Sequence, residues 1–584
     1  MKLSRFLPVL TLLFTSSFAA DAKFDAWVDA FTADWIRTDP QAATAAQYFS
    51  GAEQDKLDRL LTPVTNEFLS RRVATAKKGL AELARFDRTK LDVTEKVSAD
   101  LIQWSLNDIV EGAAFSDFEW VFDQFNGLQV GLIDFLTQTH PVRNARDIDN
   151  YLARLALTAA RFDEGIARAR DAATRGFIMP DFIYQSALGQ FDHLLAGSTR
   201  ENELVATLDE RVAKLPEIAA ADRAKAVAAA EKIVGDSIIP ALRRVQAMLR
   251  EQQPRATADA GIWRLPGGDQ AYAFFLRRMT TTNFTPAQVH ELGLKEVARI
   301  TGEMDVILRQ LGFAEGSLDA RLEKLQASLQ PPASPDPRPG LIARNEEILR
   351  DAEKRAALIF DLRPAAPLVV KREPAFSEAT AAAHYALPAK DGSRPGVFWA
   401  PVPGPTYDML TMKTTAYHEG IPGHHFQCAL QQEMKSLPQF RRDTVFGFVS
   451  AHGEGWALYA ERLAVENGWY DGDPVGHLGQ LSDELLRARR LVVDTGLHAK
   501  HWTRQQVIDF GLPVSETERY VVWPGQACSY KVGQLKILEL RAKAKTALGA
   551  KFNVKEFHNA VLRAGNVPLA VLEQVIDDYI TATR

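Results

Sequence analysis

Residues 418–425 read HEGIPGHH: three histidines, a glutamate, a proline and two glycines in eight positions. A peptidase zinc site needs two imidazoles and a third ligand at about 2 Å from one ion, an open coordination position, and a carboxylate beside it. The usual arrangement, HExxH, sets both histidines on one helical face four residues apart, with the glutamate as general base. His418 and Glu419 begin this pattern, but Pro422 stands where the second histidine belongs.

A regular helix turns by about 100° per residue, so His424 falls about 240° round from His418, on the wrong face. His425 returns to the face but about 10 Å along the axis, too far for a shared ion. Pro422 cannot donate to the His418 carbonyl, and Gly420 and Gly423 tolerate unusual dihedrals, so a local bulge is expected at this point. A bulge absorbing two residues brings His424 to the second ligand position. His424 is the favoured ligand, with His425 as the alternative.

The third ligand is expected from a neighbouring helix. HGEGWALYAERL, residues 452–463, carries Glu454, Trp456, Leu458 and Glu461 after a turn expected at Gly453. HELGL at 290–294 opens with the same two letters as the metal motif, but His290 and Glu291 have no second histidine in reach and read as ordinary helix residues.

Outward from this stretch the chain reads as mostly helical. Phe24, Trp27, Val28, Phe31 and Trp35 recur at helical spacing, and LARLALTAARFDEGIARARDAA (152–173) and AAADRAKAVAAAEKIV (219–234) continue the pattern. A turn-rich break at 256–276 separates an N-terminal helical lobe, 23–260, from a second lobe, 261–584. Thr285 caps a helix that runs through residue 308, and PPASPDPRPG at 331–340 reads as a loop. Between 366 and 402, PLVVKREP and GVFWAP are short, β-branched or aromatic, and bounded by proline and glycine, as strands of a small sheet are. Helical patterns resume at Met409. The fold class is mainly α with a small β-sheet.

The first 22 residues, MKLSRFLPVLTLLFTSSFAADA, show Lys2 and Arg5, an apolar run from Phe6 to Phe14, and then small residues, the pattern of a cleaved secretory signal. Cleavage is expected after Ala19 or Ala22, which places the protein in the periplasm or outside the cell. The apolar run is shorter than the ~20 residues a membrane span needs, and no later segment is longer. With 69 basic and 74 acidic residues, the surface has no general attraction for nucleic acid or anionic lipid. Cys428 and Cys528 are the two cysteines, too few for a disulfide scaffold, although an exported compartment permits one bridge.

The segment EGWALYAE is similar to the EGFAxYxE-type segment that carries the glutamate ligand in zinc aminopeptidases of the gluzincin group, which points to Glu454 as third ligand; Glu461, two turns later on the same helical face but deeper, is a candidate to lie behind it. HEGIPGHHFQ, HGEGWALYAERL, DGSRPGVFWAP (391–401), DTGLHAKHWT (494–503) and PGQACSYKVGQL (524–535) together resemble the bacterial family known as domain of unknown function 885. That family is placed among zincin-like metallopeptidases, near helical oligopeptidases and carboxypeptidases. The resemblance implies a zincin-like helical fold with a deep cleft between two lobes. PGQACSYKVGQ also resembles the YxxGx segment that lies over the metal in helical metallocarboxypeptidases, which nominates Tyr530 to steady an oxyanion.

GVFWAP is either an edge strand for an extended peptide or a buried structural strand. Asp391 and Arg394 form the turn leading into it. His498 is a candidate for holding a substrate carbonyl or carboxylate, and Arg519 and Lys531 for pairing with a substrate C-terminus. The expected activity is hydrolysis of short peptides by one zinc ion on His418, His424 and Glu454, with Glu419 as general base. The alternatives are hydrolysis of a cell-wall peptide or other amide, and a non-catalytic metal- or peptide-binding protein. Oligomeric state is not legible in the sequence.

Overall fold

The computed structural model describes residues 21–584 other than 330, 332, 374–377, 379, 380, 393, 405 and 406. The expected signal segment lies almost wholly outside the described residues. The chain is 68% helical, and its described strands form one three-stranded sheet. Among the described residues no helix is long and apolar enough to cross a membrane.

One continuous buried core includes Phe24 and Trp35 of the first helix, Trp456 and Tyr459 in the middle, and Ile576 and Ile580 of the last. The first helix, Ala22–Arg37, is capped by Asp21, whose carboxylate accepts from the amides of Lys23 and Phe24. Thr285 caps the helix Pro286–Gln310 in a capping box with Gln288.

Three helices position the site. Ser450–Glu466 is buried nearly all round, as a helix in the middle of a core must be. It crosses Gln526–Leu548 at Gly455 and Gly533, where a Cβ on Gly455 would come within 2.5 Å of the Gly533 backbone. Pro474–Ala499 packs beside them. Glycine on both sides of the crossing lets the backbones approach this closely, which fixes the residues on either side.

The sheet consists of β1 (Leu368–Arg372), β2 (His384–Ala386) and β3 (Gly396–Ala400), in the order β1-β3-β2. β3 pairs parallel to β1 and antiparallel to β2. GVFWAP is therefore the central strand, with both edges already paired and four of its five strand residues buried. It has no free edge for an extended peptide, so the structural alternative applies. A turn with Gly392 at φ 75° and an Ala389 amide to Arg394 carbonyl bond leads into it.

Several boundaries differ from the sequence reading. A helix, Gly268–Thr280, starts inside the expected break, because Ala271, Tyr272, Phe274, Phe275 and Leu276 pack into the core. Arg338–Ala356 starts within the expected loop, with Pro339 in its first turn, where a missing amide costs nothing. The three-residue strand β2 was too short to carry a period. Gly453 does not make a turn but lies in the helix, with the Phe448 ring where its Cβ would be.

Candidate metal centre

The helix Met412–Glu419 carries His418 and Glu419 on its last turn and stops at Gly420. The chain turns through residues 420–423 with a cis Ile421–Pro422 bond, and the Gly423 amide reaches back to the Tyr417 carbonyl at 3.0 Å. A helix restarts at His424 and continues as a π-helical segment, His425–Ala429. The insert is thus a full break, larger than the expected two-residue bulge, because the proline removes the donor for His418 and the glycines permit a tight reversal. Gly423 has no alternative there: a Cβ would lie 1.9 Å from the His418 carbonyl oxygen.

This break turns the two later histidines apart. His424 Nε2 lies 3.4 Å from Glu454 Oε2, and His418 Nε2 lies 3.5 Å from the same oxygen. One ligand atom from each of the three residues falls within 4.8 Å of the others. His425 points the other way, its Nδ1 against the Tyr385 hydroxyl at 3.0 Å and its Nε2 against the Ala366 carbonyl at 3.1 Å. Burial without a carboxylate lowers the His425 pKa to about 4.

The distances have a simple meaning. Two atoms about 2.1 Å from one ion at a tetrahedral angle stand about 3.4 Å apart. Contacts of 3.4 and 3.5 Å are long for charge-assisted hydrogen bonds but match the edges of that tetrahedron. Two imidazoles and one carboxylate are a donor set that can hold a divalent metal such as zinc.

The layer behind the three residues is ordered. Glu461, two turns beyond Glu454, accepts from His418 Nδ1 at 2.7 Å and from Thr414 Oγ1 at 2.9 Å. A carboxylate on Nδ1 holds the proton there, so that a metal displacing the second proton meets Nε2 on the side of Glu454, the tautomer that ligates. Burial opposes a charge on His418, but the Glu454 and Glu461 carboxylates outweigh it and raise the pKa to about 9. Burial pushes Glu419 upward, with the imidazoles of His418 and His424 opposing it. Trp456 ties the segments together, its indole donating to the Pro422 carbonyl at 3.0 Å.

A family model for bacterial proteins of unknown function, DUF885, matches residues 40–576. The chain belongs to the DUF885 family. A candidate lipoprotein from Colwellia psychrerythraea has a crystal structure similar to this DUF885 chain, at 28% identity and a TM-score of 0.89 over 95% of this chain and all of that one. A candidate lipoprotein of unknown function from Shewanella oneidensis shares the fold at 19% identity and a TM-score of 0.70, over 96% of this chain and all of that one. No curated protein matches the sequence.

The remaining nominated residues of this DUF885 chain divide sharply. Tyr530 lies on the helix that crosses the Glu454 helix, three residues before Gly533, and its hydroxyl accepts from Arg519 Nη2 at 3.2 Å. His498 is not available to a substrate. It is fully buried, with Nδ1 on the Ile262 amide at 3.2 Å and Nε2 on the Tyr520 carbonyl at 3.0 Å, and burial lowers its pKa to about 4. Lys531 is also withdrawn, fully buried on Glu484 at 2.6 Å and Glu296 at 3.0 Å. His290 bonds Thr495 and takes no part in the metal group. Cys428 and Cys528 are both free thiols.

A cleft of about 1290 Å³ opens between residues 47–53, β1 and residues 432–443, and the three metal-group residues do not line it. Thr414, Arg487 and Arg490 were not anticipated as neighbours of the site. The signal of the two arginines was an i,i+3 pair on one long helix, which by itself looks like a solvated face, and Thr414 carried none.

Proposed function

We propose that this protein is a zinc-dependent hydrolase of short peptides, with His418, His424 and Glu454 as the metal ligands. The observation that carries this reading is the pair of tetrahedral-edge distances, 3.4 and 3.5 Å, between the imidazoles and one Glu454 oxygen. Zinc bound there supplies Lewis acidity to a scissile carbonyl and to water. The rest is the work of the chain. Glu461 holds His418 in the ligating tautomer.

Glu419, raised by burial, takes the proton of the attacking water and passes it to the leaving amine as the C–N bond breaks. Tyr530 accepts from Arg519, so its own hydroxyl proton is free for the oxyanion. The zincin-like placement of the fold rests on the same helix-borne residues and on the family resemblance. The signal-like start of the sequence and the lipoprotein description of the Colwellia psychrerythraea protein support action outside the cytoplasm.

The test is metal removal and return. Purified protein is assayed for zinc and against a mixed peptide library, then stripped with a chelator and reloaded. The reading predicts about one zinc per chain, loss of cleavage on stripping and recovery on reloading. Cleavage that survives complete removal of metal contradicts it. Zinc bound tightly without cleavage of any peptide would mark a metal-binding protein or a hydrolase of another amide.

A further inference from the structure

Tyr530 stands among three arginines. Arg490 lies over its ring, Cζ 4.7 Å from the centroid, Arg487 lies at 6.0 Å, and Arg519 donates to its hydroxyl at 3.2 Å. Arg487 and Arg490 share one face of the helix Pro474–Ala499, and Arg519 comes from Val514–Val522. Two carboxylates face them: Asp483 pairs with Arg487 at 2.7 Å, and Glu516 pairs with Arg490 at 2.7 Å and Arg519 at 3.4 Å. Glu461 also acts on Arg487, but its oxygens are engaged by His418 and Thr414. The three guanidinium groups thus face Asp483 and Glu516 in contact and Glu461 at longer range.

The side chains of Arg487, Arg490 and Arg519 are 13%, 6% and 14% exposed. Arg487 Nε, Arg490 Nη1 and Arg519 Nε are buried with no hydrogen-bond partner. Stacking on Tyr530 offsets part of the charge of Arg490 but supplies no oxygen acceptor. An unmet buried donor is costly, and here three of them meet around one ring. Three guanidinium groups with one unmet donor each have hydrogen bonds to offer an anion that the protein itself does not satisfy.

The cage reaches the metal group along two routes. Arg487 lies in the field of Glu461, which holds His418. Arg519 bonds Gln526 at 2.7 Å, and Gln526 bonds Ser450 at 3.3 Å, one turn before Glu454.

We infer that Arg487, Arg490 and Arg519 bind the free C-terminal carboxylate of the peptide, so that cleavage proceeds from that end. Planar guanidinium groups match a carboxylate, which an amidated terminus does not replace. The inference rests on the peptide hydrolysis proposed above and adds its direction.

The experiment uses zinc-loaded Glu419→Gln protein, chosen to bind without turnover, and N-acetyl-trialanine as free acid and as C-terminal amide, measured by calorimetry. The free acid should bind about tenfold or more tightly than the amide, the difference that a lost charged hydrogen bond makes. Arg519→Gln, at the rim of the cage, should bring the two affinities together. Mass spectrometry of peptides cut by the wild-type enzyme should show loss from the C-terminal end only. Equal affinity for acid and amide, or equal cleavage of both, overturns the inference while leaving the hydrolase reading intact. Tighter binding of the acid in protein that never cleaves peptides supports the cage while the hydrolase reading fails.

Discussion

Trp456 donates its indole N–H to the carbonyl of Pro422 at 3.0 Å. The two residues belong to the two segments that carry the metal group, so this bond sets the turn before His424 against the helix of Glu454. Trp456→Phe keeps most of the buried ring and removes the donor. The expected cost is about 1–3 kcal/mol of stability, from an unmet buried carbonyl. Denaturant melts check the cost, and a zinc titration of the same variant should show weaker binding. Unchanged zinc affinity would mean that the turn is held by other contacts.

Gly423 is the tightest point of the turn. Its missing Cβ would lie 1.9 Å from the His418 carbonyl oxygen and 2.4 Å from that of Tyr417, both backbone atoms. Gly423→Ala must therefore move the chain between the two histidines. The expected result is loss of zinc with most helical circular dichroism retained, since long helices lie elsewhere. Normal zinc content in this variant would contradict the close packing of the turn.

Glu461 sets the tautomer of His418 and is itself held by Thr414. Glu461→Gln keeps the shape and weakens the acceptor. Partners of this kind are worth about 10–100-fold in metal affinity. Competition with a chromophoric chelator measures it. Thr414→Val should give a smaller loss in the same direction, because it frees the second oxygen of Glu461 only.

Four buried histidines should each draw stability from the fold toward acid in a defined window. His425, His452, His498 and His558 are all lowered by burial to about 4. An unfolded histidine titrates near 6.5. Between those values the unfolded chain binds protons that the folded one refuses, so stability present above about 6.5 is lost as pH falls toward 4. Each histidine contributes a slope of up to about 1.4 kcal/mol per pH unit. Buried Asp108, Asp123 and Asp494, raised to about 6, 6 and 7, pull the other way, so the check is a difference: between pH 7 and 5 the denaturant midpoint of His498→Gln should fall less, or rise more, than that of the wild type.

Much of this was readable from the sequence because local chemistry decided it. The proline at 422 and its flanking glycines demanded a departure from regular helix, and the 3.6-residue period of the apolar residues marked most helices. What escaped depended on partners far along the chain. The size of the break is set by Gly423 against the His418 carbonyl and by Trp456 from another helix. His498 looked functional because its backbone partners, Ile262 and Tyr520, are invisible to a local reading. Arg487 and Arg490 drew no attention, because nothing nearby in the sequence announces that their helix packs against Tyr530. GVFWAP read equally well as edge or centre, since strand order is a tertiary property.

The most direct test of the central claim is to measure zinc content and peptide turnover together in Glu419→Gln. Glu419 ends the helix that carries His418, yet the metal group itself is His418, His424 and Glu454. The account predicts about one zinc per chain, as in the wild type, with turnover reduced by about 10²–10⁴-fold, the range of a lost general base. Turnover at the wild-type rate with zinc in place would contradict it.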